Sequence, residues 1–186
     1  SDLAATEGSP QPDWETLLQE VTAIEVGRDD SIVYEHAIEA FLSALFYPSL
    51  ANPQLQRSIH DGRKRIDITY TNLSIAGFFR WLGQHYSAPH VFVECKNYTG
   101  DPANPELDQI SGRFSPSRGQ VGILVCRQIR DRALFMRRCR DTADDQRGFV
   151  IPLDDADLEA LVRERQREHG QPEFRLLREK FESLVL

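Results

Sequence analysis

No run of apolar residues in this chain is long enough to span a bilayer, and no charged-then-apolar leader of the secretory type is seen. The expectation is a cytoplasmic protein with no membrane partner. Cysteine is scarce: Cys95, Cys126 and Cys139 show no CxxC spacing, which leaves a zinc site little support. Two of the three lie in apolar, strand-like runs, so reduced buried thiols are expected. The five histidines include no HxH or HExxH pair. His60 precedes "DGRKRID", near a candidate site residue, but a surface loop position is the favoured reading. Ser111, Ser115 and Ser117 lack the strand-turn-helix setting of a nucleophile elbow. Internal repeats and low-complexity tracts are also missing.

What is present suits a single domain with a real core: 186 residues, 40% hydrophobic and 27% charged. The net charge of −7 argues at first against a polyanionic partner, but the charge is unevenly spread. Residues 1–30 carry eight acids against one base, Arg28; residues 110–140 carry eight arginines against one acid, Asp131. A local field of that kind can steer a polyanion. The competing reading places the 137–140 arginines on a solvated helix face, paired with acidic helices.

The first twelve residues are small, polar and Pro-rich, and read as a flexible lead-in. From Asp13, helical spacing of Trp14, Leu17, Leu18, Val21 and Ile24 predicts a helix. Ser31 is expected to cap a second helix, with Val33, Ala37, Ile38, Phe41, Leu42 and Leu45 as its apolar face and Pro48 and Pro53 ending it. "LQRSI" and "RIDITY" read as strands of a hairpin around "HDGRK". A short helix over "IAGFFRWLGQHY" precedes the strand "HVFVECKNY". Then come a loop, a helix over "ELDQISGRF", the strand "QVGILVCR", an amphipathic helix, the strand "GFVIPL" and two closing helices. The fold class is therefore α/β: a mixed central sheet of about five strands, an early hairpin followed by parallel strands, flanked by helices. Residues 13–153 form the expected core, and 154–186 a helical extension packed on it.

The chemistry concentrates at the end of the apolar strand "VFVECK". Alternation puts Glu94 and Lys96 on one face with Phe92, and Val91, Val93 and Cys95 on the other. In "RIDITY", Asp67 points opposite to Ile66 and Ile68, and Arg65 shares its face. If the two strands are neighbours, Asp67 and Glu94 meet, and paired carboxylates repel unless protonated or bridged by a cation. Oxygen donors at that spacing suit Mg²⁺, with Mn²⁺ substituting; the Cys95 carbonyl can add another oxygen. Lys96 beside such an ion could orient a water or neutralise charge on a phosphoryl group. An ordinary ion pair at a strand end is the competing reading.

"DGRKRIDI", "VFVECKNY", the preceding "IVYEHAIEAF" and the following "LDQISGRF" and "VGILVCR" together resemble the PD-(D/E)xK nuclease superfamily, over roughly residues 31–152. The "ECKNY" and "RIDI" wording is most similar to the Mrr-like and other defence-associated branches. The resemblance implies a restriction-endonuclease-like fold and a Mg²⁺-dependent nuclease. Asp67 and Glu94 would be metal ligands, Lys96 would assist the attacking water, and Glu35 or Glu39 on the first helix would complete the site. Gln109 matches a glutamine that some members carry on the next helix. Arg113 stands where one subgroup has tyrosine, and Ile66 where the motif has proline. Arg65, Arg113 and Arg118 are candidate nucleic-acid contacts. DNA cleavage leaving 5′-phosphate ends, RNA as the rival substrate, a homodimer, and a place within a larger defence assembly are the further expectations. A non-catalytic binding module is the remaining alternative.

Overall fold

The computed structural model describes residues 11–59, 62 and 64–186. The expected lead-in falls mainly, and His60 wholly, outside the described residues. Elements follow the chain as α1 (Trp14–Thr22), α2 (Ser31–Phe46), β1 (Leu50–Ile59), β2 (Lys64–Asn72), α3 (Gly77–His85) and β3 (His90–Lys96). There follow α4 (Asn104–Ser111), β4 (Val121–Cys126), α5 (Arg132–Asp144), β5 (Phe149–Leu153), α6 (Asp155–Arg167) and α7 (Arg175–Val185). The five strands form one mixed sheet in the order β1-β2-β3-β4-β5. β1–β2 and β2–β3 are antiparallel, while β3–β4 and β4–β5 are parallel. The hairpin therefore feeds two helical crossovers, and each parallel neighbour follows a helix, as such connections require.

Both faces of the sheet are covered. Alternate residues of the apolar strands divide between two clusters, because strand side chains alternate faces. Val121, Ile123 and Val125 join the larger cluster with Val91, Val93 and Cys95, under α1, α2, α3, α6 and α7. Leu124 and Cys126 join Leu107, Ile110, Phe135 and Cys139 from α4 and α5 on the opposite face. Leu158, Leu161, Phe174, Leu177 and Phe181 of the closing helices belong to the larger cluster, so the C-terminal segment helps build the main core. Gly122 lies under Ile110 of α4 and the Phe114 ring: a Cβ there would stand 2.7 Å from Ile110 Cδ1 and 3.0 Å from the Phe114 ring. All three cysteines are free and buried, as expected.

Local rules explain most boundaries. The Asp13 side chain accepts from Thr16 N at 3.0 Å and so starts α1. Asp131 accepts from Leu134 N at 2.9 Å and starts α5. Several expectations need correction. Ser31 is the first helical residue of α2 and not its cap; Asp30 holds the cap position, without a side-chain bond. Val33 is 55% exposed, whereas Tyr34, Glu35 and Phe46 are buried, so the inward stripe of α2 is rotated from the expected one. Pro53 lies within β1, which starts at Leu50 rather than Leu55. The pairing register slips between Ala51 and Gln54, and an edge strand tolerates a proline where no ladder bond is required. Ile66 does not share its surroundings with Ile68. It packs with Phe92 and Phe114, while Ile68 joins the larger cluster, because β2 leaves β3 at this point.

Candidate functional site

β2 and β3 separate where their charged residues begin. Their last paired residues are Ile68 and Val93. Beyond that point β2 continues along β1 to Lys64, and β3 continues along β4 to Lys96. Asp67 and Glu94 are thus the first residues past the fork. Asp67 does not simply stand out from one face, as alternation predicts. Its Oδ2 accepts from Cys95 N at 2.9 Å, which spans the fork sideways and supplies the bond the strand ladder no longer provides.

Glu94 is 1% exposed. Its Oε1 accepts from Lys96 Nζ at 3.2 Å and from the Gln109 amide of α4. Gln109 Oε1 in turn accepts from Lys96 Nζ at 2.8 Å, so the lysine, the amide and the carboxylate close a triangle. Glu94 Oε2 is buried and has no hydrogen-bond partner; Arg113 Nε is 3.8 Å away. Burial and then the Asp67 charge push the Glu94 carboxyl up to about 7, against the pull of Lys96 and Arg113. The two acids expected to meet are therefore close enough to repel.

Glu35, buried on α2, is linked to Asp67 through Arg65. Its Oε2 accepts from Gln56 Nε2 at 3.1 Å, and its Oε1 lies 3.4 Å from Arg65 Nη2. Burial first, and Asp67 second, raise its pKa. Glu39, one turn on, instead accepts from Ser43 Oγ at 2.9 Å. Arg65 Nη2 is also 3.7 Å from Asp67 Oδ1, so this guanidinium straddles both carboxylates. Gln56 was not anticipated. It sits at a left-handed φ of 52° within β1, opposite the fork, and no local pattern marks it.

The three candidate nucleic-acid arginines differ in placement. Arg65 has a side chain 48% exposed. Arg113 is buried; its Nε donates to the Arg65 carbonyl and its Nη1 to the Gln109 carbonyl, tying the end of β2 to α4. Arg118 Nη2 donates to the Arg113 carbonyl at 3.2 Å. Arg113 and Arg118 thus hold backbone in place, a role a sequence cannot display because their partners are carbonyls from distant segments.

The arginine-rich stretch is likewise largely spent on the fold. The Arg127 side chain, 8% exposed, reaches Asp155 at 3.2 Å, the Ile24 and Thr22 carbonyls, and Asn97 Oδ1. Arg132 pairs with Asp154 and Asp157, and Arg140 donates to the Ser183 carbonyl. A cavity of about 770 Å³ bordered by α6 and α7 is lined by groups such as Arg163, Glu164 and His169 and shares no residue with the cluster at the fork. Among the described residues, no three His, Cys, Asp or Glu side chains already surround a common point as metal ligands would. No helix among them is long and apolar enough to cross a membrane. No family model matches the chain, and no curated protein or solved structure matches it.

Proposed function

We propose that this protein is a metal-dependent nuclease of the PD-(D/E)xK type that hydrolyses phosphodiester bonds in DNA as an endonuclease, leaving 5′-phosphate ends. One observation carries the reading. Glu35 and Asp67 share the Arg65 guanidinium, Asp67 and Glu94 are the first residues past the point where β2 leaves β3, and the Lys96 ammonium is held against Glu94.

The residues present fit a hard divalent cation in donor chemistry. All side-chain donors are carboxylate oxygens, Glu94 Oε2 is buried without a partner, and the mutual repulsion of the acids is what a cation relieves. Asp67 and Glu94, with Glu35 and the Cys95 carbonyl, would hold Mg²⁺ or Mn²⁺. Such an ion supplies Lewis acidity at a phosphoryl oxygen and a more acidic bound water. The chain's own groups do the rest. Asp67 is fixed by the Cys95 amide, so its free oxygen is pre-oriented. Gln109 holds both Glu94 and Lys96. Lys96, 15% exposed at its side chain, keeps its ammonium at the carboxylate, where it can stabilise charge developing on phosphate or orient the attacking water. Arg113 locks α4 to the end of β2 and so keeps Gln109 in position.

The test is plasmid nicking with Mg²⁺ or Mn²⁺, comparing wild type with Asp67→Ala and Lys96→Ala. Wild type should nick, both variants should not, and EDTA should abolish the activity. Equal nicking by all three would place the activity elsewhere. A parallel digestion of RNA decides between the two polymers, since the chemistry acts on phosphate rather than on the sugar. Cutting both strands of a duplex calls for two such sites, hence a homodimer or a defence-system partner. The second reading, a non-catalytic binding module, is favoured by one feature: Arg65 and Lys96 already pair the carboxylates internally.

A further inference from the structure

We infer that Arg65 is a resident counter-ion: it leaves Glu35 and Asp67 when a divalent ion binds at the fork, so guanidinium and metal compete for the same two oxygens. The inference rests on the divalent-ion reading above and deepens it.

Each of the three carboxylates has one oxygen bonded within the fold. Glu35 Oε2 is taken by the Gln56 amide at 3.1 Å. Asp67 Oδ2 is taken by the Cys95 amide at 2.9 Å. Glu94 Oε1 is taken by Lys96 and Gln109. Each acid is thereby left with one oxygen: Glu35 Oε1, Asp67 Oδ1 and Glu94 Oε2. The first two face a single atom, Arg65 Nη2, at 3.4 and 3.7 Å. The third makes no hydrogen bond, with the inward-held Arg113 Nε 3.8 Å away.

Those distances are longer than the roughly 2.7–2.9 Å of a strong charge-assisted bond. Arg65 therefore straddles the two acids and clasps neither. Its side chain is 48% exposed, against 7% for each acid, so it approaches from the solvent side and can swing away without disturbing packing. Its backbone is held independently, through the Arg113 bond to its carbonyl, so the side chain can depart while the strand end stays fixed. A positive charge on the two oxygens stabilises the empty site and opposes a second cation there. The coupling must then be reciprocal. Lys96 differs: it is mostly buried, holds the third acid through Oε1 and leaves Oε2 clear.

The experiment is calorimetric titration of the protein with Mn²⁺ alone, for wild type, Arg65→Gln and Arg65→Lys, with Arg137→Gln on the exposed face of α5 as a control. Arg65→Gln should bind Mn²⁺ at least about fivefold more tightly than wild type, the lower end of typical site-to-site coupling. Arg65→Lys, which keeps the charge, should stay closer to wild type, and Arg137→Gln should match it. A purely structural role for Arg65 would weaken binding on removal and would not be rescued by lysine in this direction. Equal or weaker binding by Arg65→Gln overturns the inference and leaves the divalent-ion reading standing. Absence of Mn²⁺ binding by every variant overturns both.

Discussion

Replacing Glu94 by glutamine should make the metal-free protein more stable above neutral pH. Burial and the Asp67 charge raise this carboxyl from its ordinary 4.5 to about 7 in the folded chain. Because the folded value lies above the unfolded one, the folded state holds the proton more tightly. The associated stabilisation is complete below about pH 4.5 and is lost as pH rises through about 7. At about 1.4 kcal/mol per pH unit of displacement, the loss by pH 8 is at most about 3 kcal/mol. Glu35 contributes in the same direction. Glu94→Gln removes the Glu94 part while keeping an oxygen for Lys96. Urea unfolding at a series of pH values, without divalent ions, measures it. The variant should match wild type near pH 5 and exceed it near pH 8. The corresponding difference in melting temperature should be at most about 12 °C, taking about 2–4 °C per kcal/mol for a domain of this size. Parallel stability curves for the two proteins would show that Glu94 is neither desolvated nor repelled as described.

Three other outcomes follow from particular contacts. Asp67→Asn keeps an oxygen for the Cys95 amide, whereas Asp67→Ala strands that buried donor, so only the alanine variant should lose about 1–3 kcal/mol in urea, while both lose divalent-dependent nicking. Arg127→Met removes a buried cation bonded to Asp155, Asn97 and two carbonyls and should cost about 3–5 kcal/mol, read as a lower urea midpoint. Gly122→Ala pushes a methyl into Ile110 and Phe114 and should cost about 1–3 kcal/mol, read as a lower melting temperature.

The sheet and its helices were largely legible because periodicity reports burial directly. Leu124 and Cys126 against Ile123 and Val125 is a two-residue alternation, and each half finds its own cluster. Glu94 and Lys96 were legible as candidates because charge at the end of an apolar strand demands a partner. What the residues could not display was set by tertiary geometry. β1 runs through Pro53 because it is an edge strand, and the fork at Ile68–Val93 turns Asp67 sideways. The α2 stripe favours Tyr34 and Glu35 over Val33 because the helix faces the fork as well as the core. Arg113 and Arg118 looked like free cations, but their partners are carbonyls, which carry no signature in a side-chain pattern.

The oxygens left free at the fork between β2 and β3 are the proposed seat of a divalent cation. Anomalous diffraction from crystals soaked in Mn²⁺ tests this directly. A manganese peak should appear in contact with the carboxylates of Asp67 and Glu94, with the Arg65 side chain turned away from Glu35. A peak elsewhere, or no peak with the Arg65 contacts unchanged, would show that the fork is not a cation site.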